Sequence, residues 1–449
     1  MTLRSSRLRD LENPSRSVND RAELCCEVAR GFENKGDYEH ALKALSSFWR
    51  RIGERPKLEG LEASTAGEVL LRAGVLTSAI GSKNQIADAQ ERAKDLISES
   101  LTIFQSTNYR KKIAEAQTEL ALVYWRTGEY DNAADLLKLA LALLTTDSEL
   151  KAKAVVRVAI VEHSAGRTEK ALRTLTGHAP LFEKLHSHNL KGSYHVTLGN
   201  RLENLWESGS HPDYLDRALI EYAAASYHFE KAEHRCYLAN TENNLGFLYF
   251  KIHRFEDAHE HLDHARRVLV SLKDVSGVAQ VDETRACVLL KQGRINDAER
   301  VARAAVRAHE KSDRGALLAE ALITHGRALA RLRNYGASLS AFRRSVELSE
   351  EAGSLNLAAD AALAAFQELS DHLAISEGRK LVSGRRIGDE KRSFEHEEIK
   401  RALENAKGSV TAAARSLGMS WQSLSYMLET RYKDLLKYRT PVRRRPRKR

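Results

Sequence analysis

Along most of the chain, small and aromatic residues return in one order: a small residue, an aromatic or leucine three positions on, a turn, a second aromatic, then alanine. The clearest copies are Ala29, Phe32, Gly36, Tyr38, Ala41 and Ala121, Tyr124, Gly128, Tyr130, Ala133, followed by Gly246, Tyr249, His253, Phe255, Ala258. Shorter versions at Gly293, Ile295, Ala298 and at Arg333, Tyr335, Ser338 keep the rhythm. Residues three or four apart share a helix face, so each copy predicts two helices with a reversal between them. The small residue marks where the two helices approach most closely, and the aromatics fill the space beside that crossing. At the turn, often a glycine, a positive φ reverses the chain.

The small residue of the second helix stands at Ala133, Ala171, Ala218, Ala258, Ala298 and Ser338, at intervals of 38, 47, 40, 40 and 40. Such a period predicts stacked helical hairpins, each packed on its neighbours. Two units depart from it. Gly74 to Ala93 and Gly199 to Ala218 each span 19 residues, against 12 from Gly246 to Ala258. The surplus falls in Gly81–Asp88 and Ser208–Leu215, as an extended turn or a protruding partner-binding loop.

Over about residues 20–375 the pattern resembles the tetratricopeptide repeat, in a variant with longer helices. The resemblance implies an α-solenoid whose first helices line a concave groove, with a protein or peptide partner held there. The positions expected to project into it are Asn200, Glu203, Asn204, Asn240, Asn243, Lys251, Arg327 and Arg331. Amide and guanidinium groups there suit the backbone and carboxylates of an extended peptide.

Beyond residue 375 the period stops. Ser376–Ser393 holds three glycines and no sustained apolar spacing, which predicts a flexible linker. Glu395–Ala406 then carries Ile399, Ala402, Leu403 and Ala406 on one helix face and ends at Gly408. Val410–Ser416, with Ala412, Ala413 and Ala414, predicts a short second helix, and Leu417-Gly418-Met419 a turn. Ser420 caps a third helix to about Arg431, with Leu424, Met427 and Leu428 inward and Trp421, Gln422, Ser425, Tyr426 and Glu429 outward.

This trihelical stretch resembles the helix-turn-helix of the Fis family at Gly408, Ala412, Ala413, Leu417, Gly418, Met419, Ser423 and Leu424. The resemblance implies a bacterial DNA-binding regulator with the third helix in the major groove. Where that family usually carries basic residues, Trp421, Tyr426 and Met427 stand, so arginine readout of guanine is absent. Gln422 is left to read adenine, and Ser420, Ser423, Ser425 and Tyr426 to bond phosphates or base edges. Lys407, Thr411 and Arg431 complete the expected DNA-binding set within the module.

Charge sharpens this picture. Residues 394–449 hold fourteen Lys/Arg against six Asp/Glu, so +8 of the chain's +10 sits in its last eighth. In Pro441–Arg449, six cations (Arg443, Arg444, Arg445, Arg447, Lys448 and Arg449) share nine positions with two prolines, which preclude a packed helix. Such a tail adds salt-sensitive, sequence-independent affinity for a phosphate backbone or minor groove.

The expected protein is therefore all-α: an arm over 1–19, a solenoid over 20–375, a linker over 376–393, a helix-turn-helix over 394–438 and a basic tail over 439–449. No segment reaches the about 18 uncharged apolar residues of a membrane span, and the first twenty residues lack a signal-peptide core. Cys25, Cys26, Cys236 and Cys287 lie in helical patterns, as buried free thiols would. His261 and His264 share a helix face without a recognisable ligand set, and no phosphate-cradling loop or nucleophile elbow occurs, so no metal, cofactor or catalysis is expected. The expectation is a cytoplasmic, non-enzymatic regulator, homodimeric on paired half-sites of double-stranded DNA, with a protein or peptide in its groove. The alternative is a scaffold whose C-terminal bundle and tail make protein or non-specific nucleic-acid contacts.

Overall fold

The computed structural model describes residues 17–84, 86–209, 213–311, 315–377 and 387–438, which contain helices and no strand. Two units divide the chain, residues 1–369 and 370–449.

In the first unit, helices pair as hairpins: α1 (Val18–Glu33) with α2 (Tyr38–Ala44), α3 (Ala63–Asn84) with α4 (Ala89–Ser106), and α5 (Arg110–Arg126) with α6 (Tyr130–Leu143). α7 (Glu149–Ser164) pairs with α8 (Thr168–Gly177), followed by the short α9 (Ala179–Lys184). Next come α10 (His188–Glu207) with α11 (Tyr214–Lys231), α12 (Arg235–Lys251) with α13 (Phe255–Ser271), α14 (Val275–Lys291) with α15 (Ile295–Glu310), and α16 (Gly315–Arg331) with α17 (Tyr335–Glu351). α18 (Leu355–Glu377) packs Ala361 and Ala364 on the last hairpin.

The small residues sit at the crossings. A Cβ on Gly246 would stand 2.5 Å from Leu262 Cγ, and one on Gly74 2.5 Å from Ile97 Cγ1, so either addition would push the helices apart. At the last crossing Ser338 stands where alanine does elsewhere, and its hydroxyl donates to the Gly326 carbonyl at 2.8 Å. The turn keeps a positive φ even without glycine: Gly128 has φ 82°, and His253 and Arg333 take 63° and 62°.

The two longer units differ from each other. In the first, α3 has 22 residues against 17 for α12, and Gly81–Asn84, half of Gly81–Asp88, is helix. In the other, α10 extends to Glu207, and residues 210–212 lie outside the described set.

The second unit holds α19 (Ile387–Asn405), α20 (Val410–Ser416), α21 (Trp421–Thr430) and a 3-10 turn over Lys433–Tyr438. Ile399, Leu403, Ala413, Ala414, Leu424, Leu428, Tyr432 and Leu435 form its core. Gly418, with φ 66°, reverses the chain between α20 and α21, and the Met419 amide donates back to the Ala414 carbonyl at 3.0 Å. The buried alanine pair is Ala413 and Ala414, whereas Ala412 faces solvent. The 3-10 turn was not foreseen. It brings Leu435 into the core, beside Tyr432, whose hydroxyl donates to Glu395 Oε2 at 2.5 Å. None of the described helices is long and apolar enough to cross a membrane.

Candidate functional site

α21 presents Trp421, Gln422, Ser425, Tyr426 and Glu429 along one face, because these positions recur at helical spacing while Leu424 and Leu428 are buried. Trp421 is 54% and Tyr426 66% exposed, which leaves both rings free to meet a large partner. Ser420 and Ser423 are occupied with capping. The Ser423 amide donates to Ser420 Oγ at 3.1 Å, and the two hydroxyls lie 2.8 Å apart. Ser425 lies 3.4 Å from Glu429 Oε1. Lys407 (φ 48°, in the turn after α19), Thr411 on α20 and Arg431 at the end of α21 are exposed. No lysine or arginine lies on α21 itself. Arg443, Arg444, Arg445, Arg447, Lys448 and Arg449 lie outside the described residues.

Inside the array lies a cavity of about 880 Å³, walled mainly by the first helices of successive hairpins. Charges in its wall pair across neighbouring hairpins. Arg72, almost fully buried, donates to Glu33 (2.6 Å, 39 residues earlier) and to Glu115 (2.7 Å, 43 residues later). Lys112 reaches Glu68 of the preceding hairpin, as well as Glu115 on its own helix at 3.0 Å, and Arg157 reaches Glu119 at 2.7 Å. Burial pushes the Glu115 carboxyl up, but Arg72, Lys112 and Arg30 outweigh it and hold it down to about 2. At Glu33, burial wins over the same Arg72 and raises the pKa.

The expected groove residues divide between the cavity and this ladder. Asn200, Asn240 and Asn243 line the cavity. The Tyr222 hydroxyl lies 2.6 Å from Asn200 Oδ1 and 2.5 Å from Glu203 Oε2, and the Asn243 side-chain oxygen is buried without a partner. Asn204 bonds within its helix to the Asn200 carbonyl at 2.8 Å. Lys251 reaches Glu203 at 2.9 Å and also Glu207, while Arg331 donates to the Leu290 carbonyl at 3.0 Å and to Glu368 at 2.9 Å. Arg327 is half-buried, close enough to lower the Glu283 pKa against the dominant effect of burial. His261 and His264 share Glu242, at 2.8 and 3.2 Å, and no cluster of three metal-ligating side chains occurs among the described residues.

The first hairpin also meets the sixth along a narrow seam. Lys35 pairs with Glu233 at 2.7 Å, 198 residues away. Beside them a Cβ on Gly36 (φ 68°) would lie 2.6 Å from His234 Cε1. The buried His234 ring stacks on Tyr237 with centroids 3.9 Å apart, and burial drops its pKa to about 4. Sequence reasoning missed both the seam and the ladder. Recurrence of Arg30, Arg72 and Lys112 at nearly the repeat period was the available signal for the ladder. Nothing local announces a pairing across 198 residues.

Two segments match family models: residues 392–429 match the bacterial regulatory protein, Fis family, and residues 114–143 match the tetratricopeptide repeat. The chain thus carries a Fis-type helix-turn-helix behind a tetratricopeptide-like array. No curated protein matches it. Among solved structures, it is similar to the apo form of the quorum sensor NprR from B. thuringiensis, at 12% identity over 77% of this chain and 92% of that one, with TM-score 0.53. A Rap protein complexed with competence and sporulation factor is similar at 14% identity over 78% and 91%, TM-score 0.52. So is a monomeric mutant of IFIT1 with Gppp-AAAA, at 15% identity over 80% and 74%, TM-score 0.50. At such identities the likeness is one of fold.

Proposed function

We propose that the protein is a transcriptional regulator that reads double-stranded DNA with α21 and holds a protein or peptide ligand in its array. It acts without catalysis, as a homodimer on paired half-sites, in the bacterial cytoplasm. The observation that carries this reading is the Fis-type segment, folded on an apolar core with Trp421, Gln422 and Tyr426 turned outward. The array reading is supported by the cavity with charged and amide side chains in its wall and by a structural neighbour described as complexed with a factor. Gln422 can make the bidentate contact that selects adenine, worth about 1–3 kcal/mol at one base pair. The flanking cations and tail supply phosphate contacts common to all sequences.

The test is a salt titration of full-length protein on duplex DNA, combined with a genomic footprint. A protected, sequence-defined site is expected, with Gln422→Ala relaxing preference at one base pair. Ending the chain at Thr440 should lower affinity for all sequences alike and flatten the salt slope by about 0.9 for each phosphate no longer neutralised. Absence of a footprint, with no preference for duplex over heparin, defeats this reading and leaves the scaffold.

A further inference from the structure

First helices of successive units begin at Arg235, Val275, Gly315 and Leu355, each forty residues after the last, so α18 is the first helix of a further unit. Earlier units turn and start their second helices at Phe255, Ile295 and Tyr335, but at the matching place α18 stays helical to Glu377. The second helix of those units crosses at Gly246, Ala286 and Gly326, and all three are buried. A Cβ on Gly326 would lie 2.9 Å from Phe342 Cε1, so that crossing admits only a small residue. In α18 the same position is Phe366, 58% exposed. Ala359 and Ala362 are exposed too, whereas their counterparts Ala319 and Leu322 are buried, with Ser345 of α17 donating to the Ala319 carbonyl at 2.8 Å. Together with Leu355 and Leu363, 75% and 54% exposed, these residues recur at helical spacing as one apolar stripe that no second helix of its own unit covers among the described residues.

A helix of the array's usual kind does not fit this stripe, because Phe366 fills the crossing where such a helix would approach. The next helix has no apolar face to spare: α19 commits Ile399, Ala402 and Leu403 to the C-terminal core and is otherwise mostly polar and charged. The stripe does fit itself. Two copies of α18 laid antiparallel, about a two-fold axis between Ala362 and Leu363, set Phe366 of each over the partner's Ala359 and Leu363 over the partner's Ala362. A large side chain then meets a small one at each of these contacts, in both directions, which is the self-complementarity that a two-fold interface requires. Asp360 is the one ionisable residue between Leu355 and Gln367, and the same axis sets it opposite Ala365 rather than its own copy, so no like charges face each other. We propose that α18 is a homodimer interface whose partner is a second copy of this chain, packed antiparallel with Phe366 seated in the dip left by Ala359 and Ala362. This rests on the homodimer reading above, to which it assigns a surface, and is independent of what the cavity holds.

The test is sedimentation equilibrium of full-length protein without DNA, from low micromolar to several hundred micromolar concentration. The mass should rise with concentration from that of one chain toward that of two. Phe366→Glu and Leu363→Glu should each weaken association about tenfold or more, since each would bury a carboxylate against an apolar partner. Both side chains face solvent in the single chain, so circular dichroism should show the helices of these variants intact. Ala359→Phe should weaken association as well, by setting two rings where there is room for one. Joining Ala359→Phe to Phe366→Ala should restore dimers, because large and small residues then merely change places. Leu339→Glu, at an exposed leucine of α17, is the control and should leave the mass unchanged. A wild-type chain that stays monomeric throughout would overturn the proposal and the homodimer reading together. A dimer that survives Phe366→Glu and Leu363→Glu, or one that the exchange fails to restore, would overturn this interface and leave the homodimer reading standing. A missing DNA footprint would leave the mass measurement untouched.

Discussion

The C-terminal unit closes over Ile399, Leu403, Leu424, Leu428 and Leu435, whereas the front of the array closes around Arg72, Glu33, Glu115 and Glu119. In the first case every polar group of interest is outside, and the core does nothing but hold α21 in place. In the second the charged groups are the inner lining, neutralised only because hairpins on either side bring partners 39 and 43 residues away. A small apolar core can form by itself. A buried ionic ladder exists only when several repeats are stacked together, so its stability belongs to the assembly.

The sharpest way to break this contrast is to remove one charge. Arg72→Ala leaves Glu33, Glu68 and Glu115 without their shared cation, and a destabilisation of about 3–5 kcal/mol is expected. Hydrogen exchange followed segment by segment should show it spreading through the first three hairpins while residues 387–438 stay protected. Leu424→Ala is the mirror experiment: a cavity in the small core, expected to cost about 2–5 kcal/mol. Here exchange should rise only in the C-terminal unit, and DNA binding should be abolished. If either substitution loosened both units equally, the separation drawn between them would be wrong.

Acid titration sharpens the same contrast. Glu115 is ionised at lower pH when folded than when unfolded, because Arg72, Lys112 and Arg30 overcome its burial. Its contribution to stability is complete above a pH of about 4.5 and disappears as the pH falls toward about 2. The array should therefore lose protection across that window sooner than the apolar C-terminal core. The smallest effect concerns the turns. Arg333 holds a φ of 62° where other repeats use glycine. Arg333→Gly should stabilise the last hairpin by less than about 1 kcal/mol, since relief of the left-handed strain is partly offset by unfolded-state entropy. A urea melt measures it.

What the sequence reveals follows from the range of the forces involved. Hairpin periodicity and the helix-turn-helix were legible because Gly74, Gly246, Ala258 and Ser338 answer to packing within one hairpin. The inward positions Leu424 and Leu428 were legible for the same reason. The 3-10 turn was missed because its apolar residues, Leu435, Leu436 and Tyr438, are too few to show a period. The groove was only half legible. Asn200, Asn240 and Asn243 face the cavity, but Lys251 and Arg331 satisfy carboxylates of their own array, and helical position alone does not separate these outcomes.

The meeting of Gly36 with His234 has a further consequence. Solenoids with free ends tolerate the gain or loss of a unit, because each hairpin answers only to the next. Here one end is tied to an interior position, so inserting or deleting a hairpin between them would carry the histidine away from the only residue type that fits opposite it. Over this stretch, a change in the number of hairpins would therefore break the contact between the two.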